Sequence, residues 1–158
     1  MSFKNFAKLT LVSIFLIIVA GAVVRMTGSG MGCPDWPKCF GLIIPPTQVS
    51  QIQWKPFESF SQGQMILIDK QLWSANNHFM TAEVYNSENW TAFTQHDYHI
   101  FNPLHTWFEY INRLIGALSG LFTLILFLAS FKFTKSKPKI ILLSALVLFL
   151  MGFQGWLG

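Results

Sequence analysis

Residues 102–120, NPLHTWFEYINRLIGALSG, decide how this chain is read. A polar, histidine-bearing segment turns there into an apolar helix and carries an acid and a base with it. Asn102-Pro103 is a helix start: Asn accepts from the first free N–H groups, and Pro fits the first helical position. No further proline follows until Pro138. Glu109 and Arg113 are four apart, so they share a face and can pair. His105 lies four before Glu109, and Asn112 three after it, so the spacing predicts one polar stripe of His105, Glu109, Asn112 and Arg113. The 18 residues from Leu114 to Phe131 then carry no charge. The stripe sits where the helix would enter hydrocarbon, a depth at which ionisable groups are costly and usually functional.

Composition supports a membrane protein. The chain is 52% hydrophobic and 11% charged, whereas about a quarter of an average soluble protein is charged. The net charge of +4 comes from short basic flanks beside apolar runs, which gives no sign of nucleic-acid binding. Membrane lipid is the implied surroundings. The expected class is an all-α integral membrane bundle with three transmembrane helices and a long connecting loop, read as a single membrane domain. The spans are placed at about 7–26, 103–133 and 140–158, with loops at 27–102 and 134–139. A first span of roughly 20 residues is enough to cross the bilayer. A cleaved signal peptide is the alternative for it, given Lys4, Lys8 and the small residues Ala20 and Ala22. The second span rises about 46 Å at 1.5 Å per residue, more than the hydrocarbon needs. Gly116 and Gly120 within it form a GxxxG, common by chance in apolar helices. The third span reaches Gly158 with no polar flank, which reads as a truncated chain.

Lysine placement predicts orientation. Lys4, Lys8, Lys132, Lys135, Lys137 and Lys139 occupy two short segments without an acid. The 27–102 connection carries Lys38, Lys55 and Lys70 against Asp35, Glu58, Asp69, Glu83, Glu88 and Asp97. The N-terminus and the Lys-rich link are therefore expected in the cytoplasm of a bacterial cell, with 27–102 outside the plasma membrane. Disulfides persist on that side, and both cysteines, Cys33 and Cys39 in CPDWPKC, fall there. A structural disulfide is expected, stabilising by roughly 2 kcal/mol in the chain-entropy model. A redox-active pair and a metal site are the alternatives. Within 40–101, Gln62 to Trp73 reads as a short interfacial helix or a strand. The Trp and Phe there suit the membrane surface. His78, His96 and His99 read as surface histidines.

VAGAVVRMTGSGMGCPDWPKC, residues 19–39, resembles the first helix and first outer loop of haem A synthases. EYINR, residues 109–113, sits where that family carries E-x-x-H-R, and the terminal FQGWLG resembles a third-helix pattern of the family. The resemblance implies an eight-helix membrane fold of two similar halves and an outer disulfide. It implies an oxidoreductase of haem biosynthesis that converts the C8 methyl of haem O to a formyl group, yielding haem A for cytochrome oxidase. It also implies haem b as cofactor, held by paired histidines. Haem O synthase, cytochrome oxidase assembly factors and a second copy of the chain are partners it leaves open.

Glu109 would be the catalytic carboxylate, and Arg113 would bind it or a haem propionate. Asn112 stands at the family's iron-ligating His, and an amide is a poor axial ligand. His105, seven residues earlier on the same face, is the candidate replacement as metal ligand. The departure at Asn112 keeps a non-catalytic haem-binding assembly protein in play. A membrane thiol oxidoreductase using Cys33 and Cys39 is the third reading. This chain by itself is expected to be inactive.

Overall fold

The computed structural model describes residues 2–30, 32–94 and 101–157. His96 and His99 lie outside them. Three helices are long and apolar enough to cross a membrane. Helix α1 covers Phe3–Thr27, α2 covers Pro103–Ser130, and α3 covers Pro138–Leu157. A 3-10 turn at Phe131–Phe133 extends α2. α1 begins about a turn earlier than the apolar run suggested, because Lys4 and Lys8 can lie along it with their heads reaching out. α3 starts at Pro138, since proline suits a first helical position. The chain divides into two compact units: residues up to Val23 with those from Ile111 onward, and Val24–Tyr110.

In the first unit α1 and α2 pack antiparallel. Phe6 meets Phe122 edge-on, the Ser119 hydroxyl donates to the Ser13 carbonyl (3.1 Å), and Gly116 faces Ile17. The polarity is inverted relative to a water-soluble bundle. Buried positions include Thr10, Ser13, Ser119, Thr123, Ser130 and Ser144, whereas Leu11, Phe15, Leu142 and Leu143 are exposed. Each buried hydroxyl donates to a carbonyl or, for Ser144, also approaches the Ser130 hydroxyl at 2.9 Å. Small polar residues at helix contacts with large apolar residues outside are what lipid requires, since lipid solvates leucine as well as a core does. The GxxxG is half used: a Cβ on Gly116 would come within 2.9 Å of Ile17, while Gly120 faces open space.

The second unit amends the all-α expectation. Residues 59–92 carry five short strands: β1 Ser59–Phe60, β2 Met65–Ile68, β3 Gln71–Ala75, β4 Phe79–Met80 and β5 Trp90–Ala92. β2, β3 and β5 form an antiparallel sheet in that order, and β1 pairs with β4. The Gln62–Trp73 segment therefore resolves as a strand hairpin and not an interfacial helix. Its turn places Asp69 and Lys70 at positive φ, the backbone a two-residue hairpin needs. Alternation along β2 then serves two cores. Met65 and Leu67 join Cys33, Cys39, Phe40, Ile52, Leu72 and Phe101. Ile66 and Ile68 join Phe60, Trp73, Phe79 and Trp90. The aromatic residues that suggested a membrane-surface segment thus pack largely on one another, as in the T-shaped Phe60–Trp90 and Phe79–Trp90 contacts.

Candidate functional site

The T-G-S-G of residues 27–30 first has a local task. Gly28 adopts φ +67°, Gly28 N–H donates to the Arg25 carbonyl, and Ser29 N–H donates to the Val24 carbonyl at 2.9 Å. This is a Schellman ending, which terminates α1 and satisfies its last carbonyls. The chain turns from there toward the first turns of α2.

Those first turns are capped as their sequence predicts: the Asn102 side-chain oxygen accepts from Leu104 N–H at 3.0 Å. Gly32 then lies directly on the α2 backbone. A Cβ there would stand 2.5 Å from the His105 carbonyl oxygen, so only glycine permits the approach. The contact is fastened by hydrogen bonds. Thr106 Oγ1 lies 2.9 Å from the Gly32 carbonyl oxygen and 3.0 Å from that of Asn102, to which its single proton can donate. Cys33 N–H donates to Glu109 Oε2 at 2.8 Å. Cys33 Sγ is 3.6 Å from the Thr106 carbonyl oxygen; a sulfur bonded to another sulfur has no proton, so this is a packing contact.

The two sulfurs stand 2.05 Å apart, at bonding distance. Asp35 closes the ring between them by accepting from Gly41 N–H at 2.9 Å. Cys39 and Leu42 exchange backbone hydrogen bonds of 2.8 and 3.1 Å. Tyr110 OH donates to the Ile43 carbonyl at 2.8 Å. The Cys loop is thus tied to successive turns of α2 by Thr106, Glu109 and Tyr110.

Glu109 is 5% exposed. A buried carboxylate needs donors, and a backbone amide directed at it by a rigid loop supplies one without side-chain entropy. Of the sequence-predicted stripe, the second unit holds His105 and Glu109; Asn112 and Arg113 fall in the first unit. His105 is half-buried and contributes its carbonyl to the wall that Gly32 meets. Asn112 Oδ1 is buried without a hydrogen-bond partner among the described residues. A Cβ on Gly21 of α1 would lie 3.9 Å from it. Arg113 is half-buried, one turn beyond Glu109 on α2.

Sequence reading missed Gly32, Thr106 and Tyr110. Thr106 is one turn before Glu109 on α2, a spacing that could have marked it. Its partner, about seventy residues away, could not be seen from spacing. No group of three or more His, Cys, Asp or Glu able to hold a metal ion occurs among the described residues. A cavity of about 100 Å³, lined by Trp54, Thr81, Asn89 and Trp90 among others, shares no residue with this cluster. It is too small for a drug-sized ligand, let alone a porphyrin.

Three apolar helices with buried hydroxyls and outward leucines, two of them joined by a loop clamped onto a buried carboxylate, define a polytopic α-helical integral membrane protein. A family model described as cytochrome oxidase assembly protein, COX15-CtaA, matches residues 4–158, and the chain belongs to that family. Among curated proteins it is 32% identical over 151 residues to the haem A synthase of Shewanella oneidensis, covering 96% of this chain and 34% of that protein. It is 34% identical over 143 residues to the haem A synthase of Bartonella tribocorum, covering 90% and 32%. A shorter match to the Bacillus licheniformis haem A synthase is 39% identical over 67 residues, covering 40% and 22%. The chain spans about a third of the length of the curated relatives it matches along most of its own length. No solved structure matches.

Proposed function

We propose that this chain is part of a haem A synthase, which converts the C8 methyl of haem O to a formyl group. That change removes four electrons from the carbon and adds one oxygen. The observation that carries the reading is Glu109, buried and held by the Cys33 amide. It joins the chain's two most family-like stretches, the Cys loop and EYINR, into one structure. Glu109 is positioned to stabilise positive charge developing at the substrate carbon, or to take up a proton there. Arg113 suits a haem propionate, because a guanidinium grips a carboxylate through two parallel hydrogen bonds.

The residues present do not fit a resident haem b held by paired histidines in this part of the protein. An Asn amide is not an axial ligand for haem iron, and Asn112 occupies the position where the resemblance expects histidine. His105 is the only imidazole on the three helices, at the start of α2. No step through a bound haem b is therefore assigned to this chain.

Cys33 and Cys39 are read as a structural disulfide. At 3% and 0% exposure neither sulfur can be reached for in-line attack by another thiol, which thiol–disulfide exchange requires. That argues against the thiol oxidoreductase. The oxidative chemistry belongs to the haem substrate and its oxidant; the chain supplies position and charge. The lysine distribution supports a 27–102 segment outside the cytoplasm. A non-catalytic haem-binding assembly protein is the second reading, favoured by Asn112. Expression of the full-length gene in a host that makes haem O but not haem A separates the two. Haem A in a pyridine haemochrome spectrum is expected; its absence, with the protein present in the membrane, would leave the assembly reading.

A further inference from the structure

The Cys loop continues into a short projection, Leu42-Ile-Ile-Pro-Pro46, with an unusual arrangement for two large aliphatic residues. Ile43 and Ile44 are 76% and 71% exposed. Nothing about the backbone beneath them is loose. Leu42 is bonded both ways to Cys39, Phe40 and Gly41 turn the chain at positive φ, and Pro45 and Pro46 are fully buried. The Ile43 carbonyl accepts from Tyr110 OH at 2.8 Å. Two isoleucines are therefore held outward by a braced loop and cannot fold back to hide.

Tyr110 says what they face. It lies within Pro103–Phe133, the longest of the three candidate spans, four residues before the uncharged run that starts at Leu114. Tyrosine is enriched at the headgroup level, where its ring meets apolar matter and its hydroxyl needs a polar partner. Here that partner is the backbone of the projecting loop. Ile43 is thereby fixed at the level of Tyr110 on a membrane helix. Leu104 and Phe108, on the preceding turns of α2, are exposed as well.

We infer that Ile43 and Ile44 form a lipid-inserted anchor, with the bilayer around the protein's own helices as the partner. The anchor holds the Cys loop, and through Cys33 the Glu109 carboxylate, at a fixed depth. Hydrocarbon solvates the two side chains, and Tyr110 satisfies the carbonyl that would otherwise enter the interface without a donor.

Benzophenone photocrosslinking of the full-length protein in native membranes tests this without relying on thiols. p-Benzoylphenylalanine is placed at Ile44, at Ile43 in a second variant, and at the exposed Glu83 as control. Phospholipid adducts at 43 or 44 at least several-fold above those at 83, read by mass spectrometry, are expected. Crosslinks to polypeptide at both positions would replace lipid with a protein partner and overturn the anchor. So would adduct levels no higher than at Glu83, which would place both residues in water.

Discussion

At the scale of the residue, Glu109 does two things that can be separated by substitution. As an acceptor it satisfies the Cys33 amide; as a carboxylate it carries the charge that the proposed reaction would use. Gln keeps the first property and loses the second, while Ala loses both. Ala should leave a buried N–H unsatisfied and lower stability by about 1–3 kcal/mol, read as a lower thermal midpoint in detergent. Gln should stay near the parent midpoint.

Gly32 is the stricter position. A methyl group there meets backbone at 2.5 Å, not a flexible side-chain tip, so Gly32→Ala must displace the Cys loop from α2. Overpacking of this kind costs about 1–3 kcal/mol or more. Gly32→Ala should lower the midpoint more than Gly30→Ala, whose Cβ would meet only a Val24 methyl at 4.0 Å. Equal midpoints would mean the loop does not sit on the helix. The acid itself was legible, because Glu109 lies on a polar helix stripe that ends just before an uncharged run. Its partner was not: spacing predicts neighbours within a helix, and the Cys33 amide is brought in by the tertiary fold.

At the scale of the element, the three helices could be read from apolar runs, and α2 also from Asn102-Pro103 at its start. Their packing was written in residues that looked incidental. Thr10 and Ser13 interrupt an apolar run in the sequence, yet they are the buried face of α1. GxxxG suggested a contact at two glycines, and one makes it. Gly116→Leu should weaken the α1–α2 contact, by about 1–3 kcal/mol for an overpacked site, while Gly120→Leu should not. Steric trapping or thermal unfolding in detergent compares them, and an equal loss from both would contradict the packing. The strand hairpin was undecidable from sequence for a physical reason: MILI is buried on both faces, so it lacks the alternation that marks a half-exposed strand. Its Asp-Lys turn also lacks the Asn-Gly or Asp-Gly signal of positive φ.

At the scale of the whole molecule, the chain belongs to a cytochrome oxidase assembly family, and its matches to haem A synthases run through the three spans. Lysine placement gives the orientation a direct test. Alkaline phosphatase fused after Asn86, in the connecting segment, should be active, and fused after Ser136, in the Lys-rich link, inactive. The reverse pattern would invert the topology and remove the disulfide from an oxidising compartment.

Asn112 stands where the resemblance expects a histidine, and an amide is a poor axial ligand for haem iron. What remains to this part is a carboxylate, set at a defined place by a clamped loop. The measurement that bears on this most directly is haem A formation by full-length Glu109→Gln in a haem O-producing host. Protein in the membrane at parent levels is expected, with haem O retained and haem A reduced at least tenfold, a loss of about 1.4 kcal/mol or more in transition-state stabilisation. Haem A at the parent level would show that the Glu109 charge takes no part in the reaction.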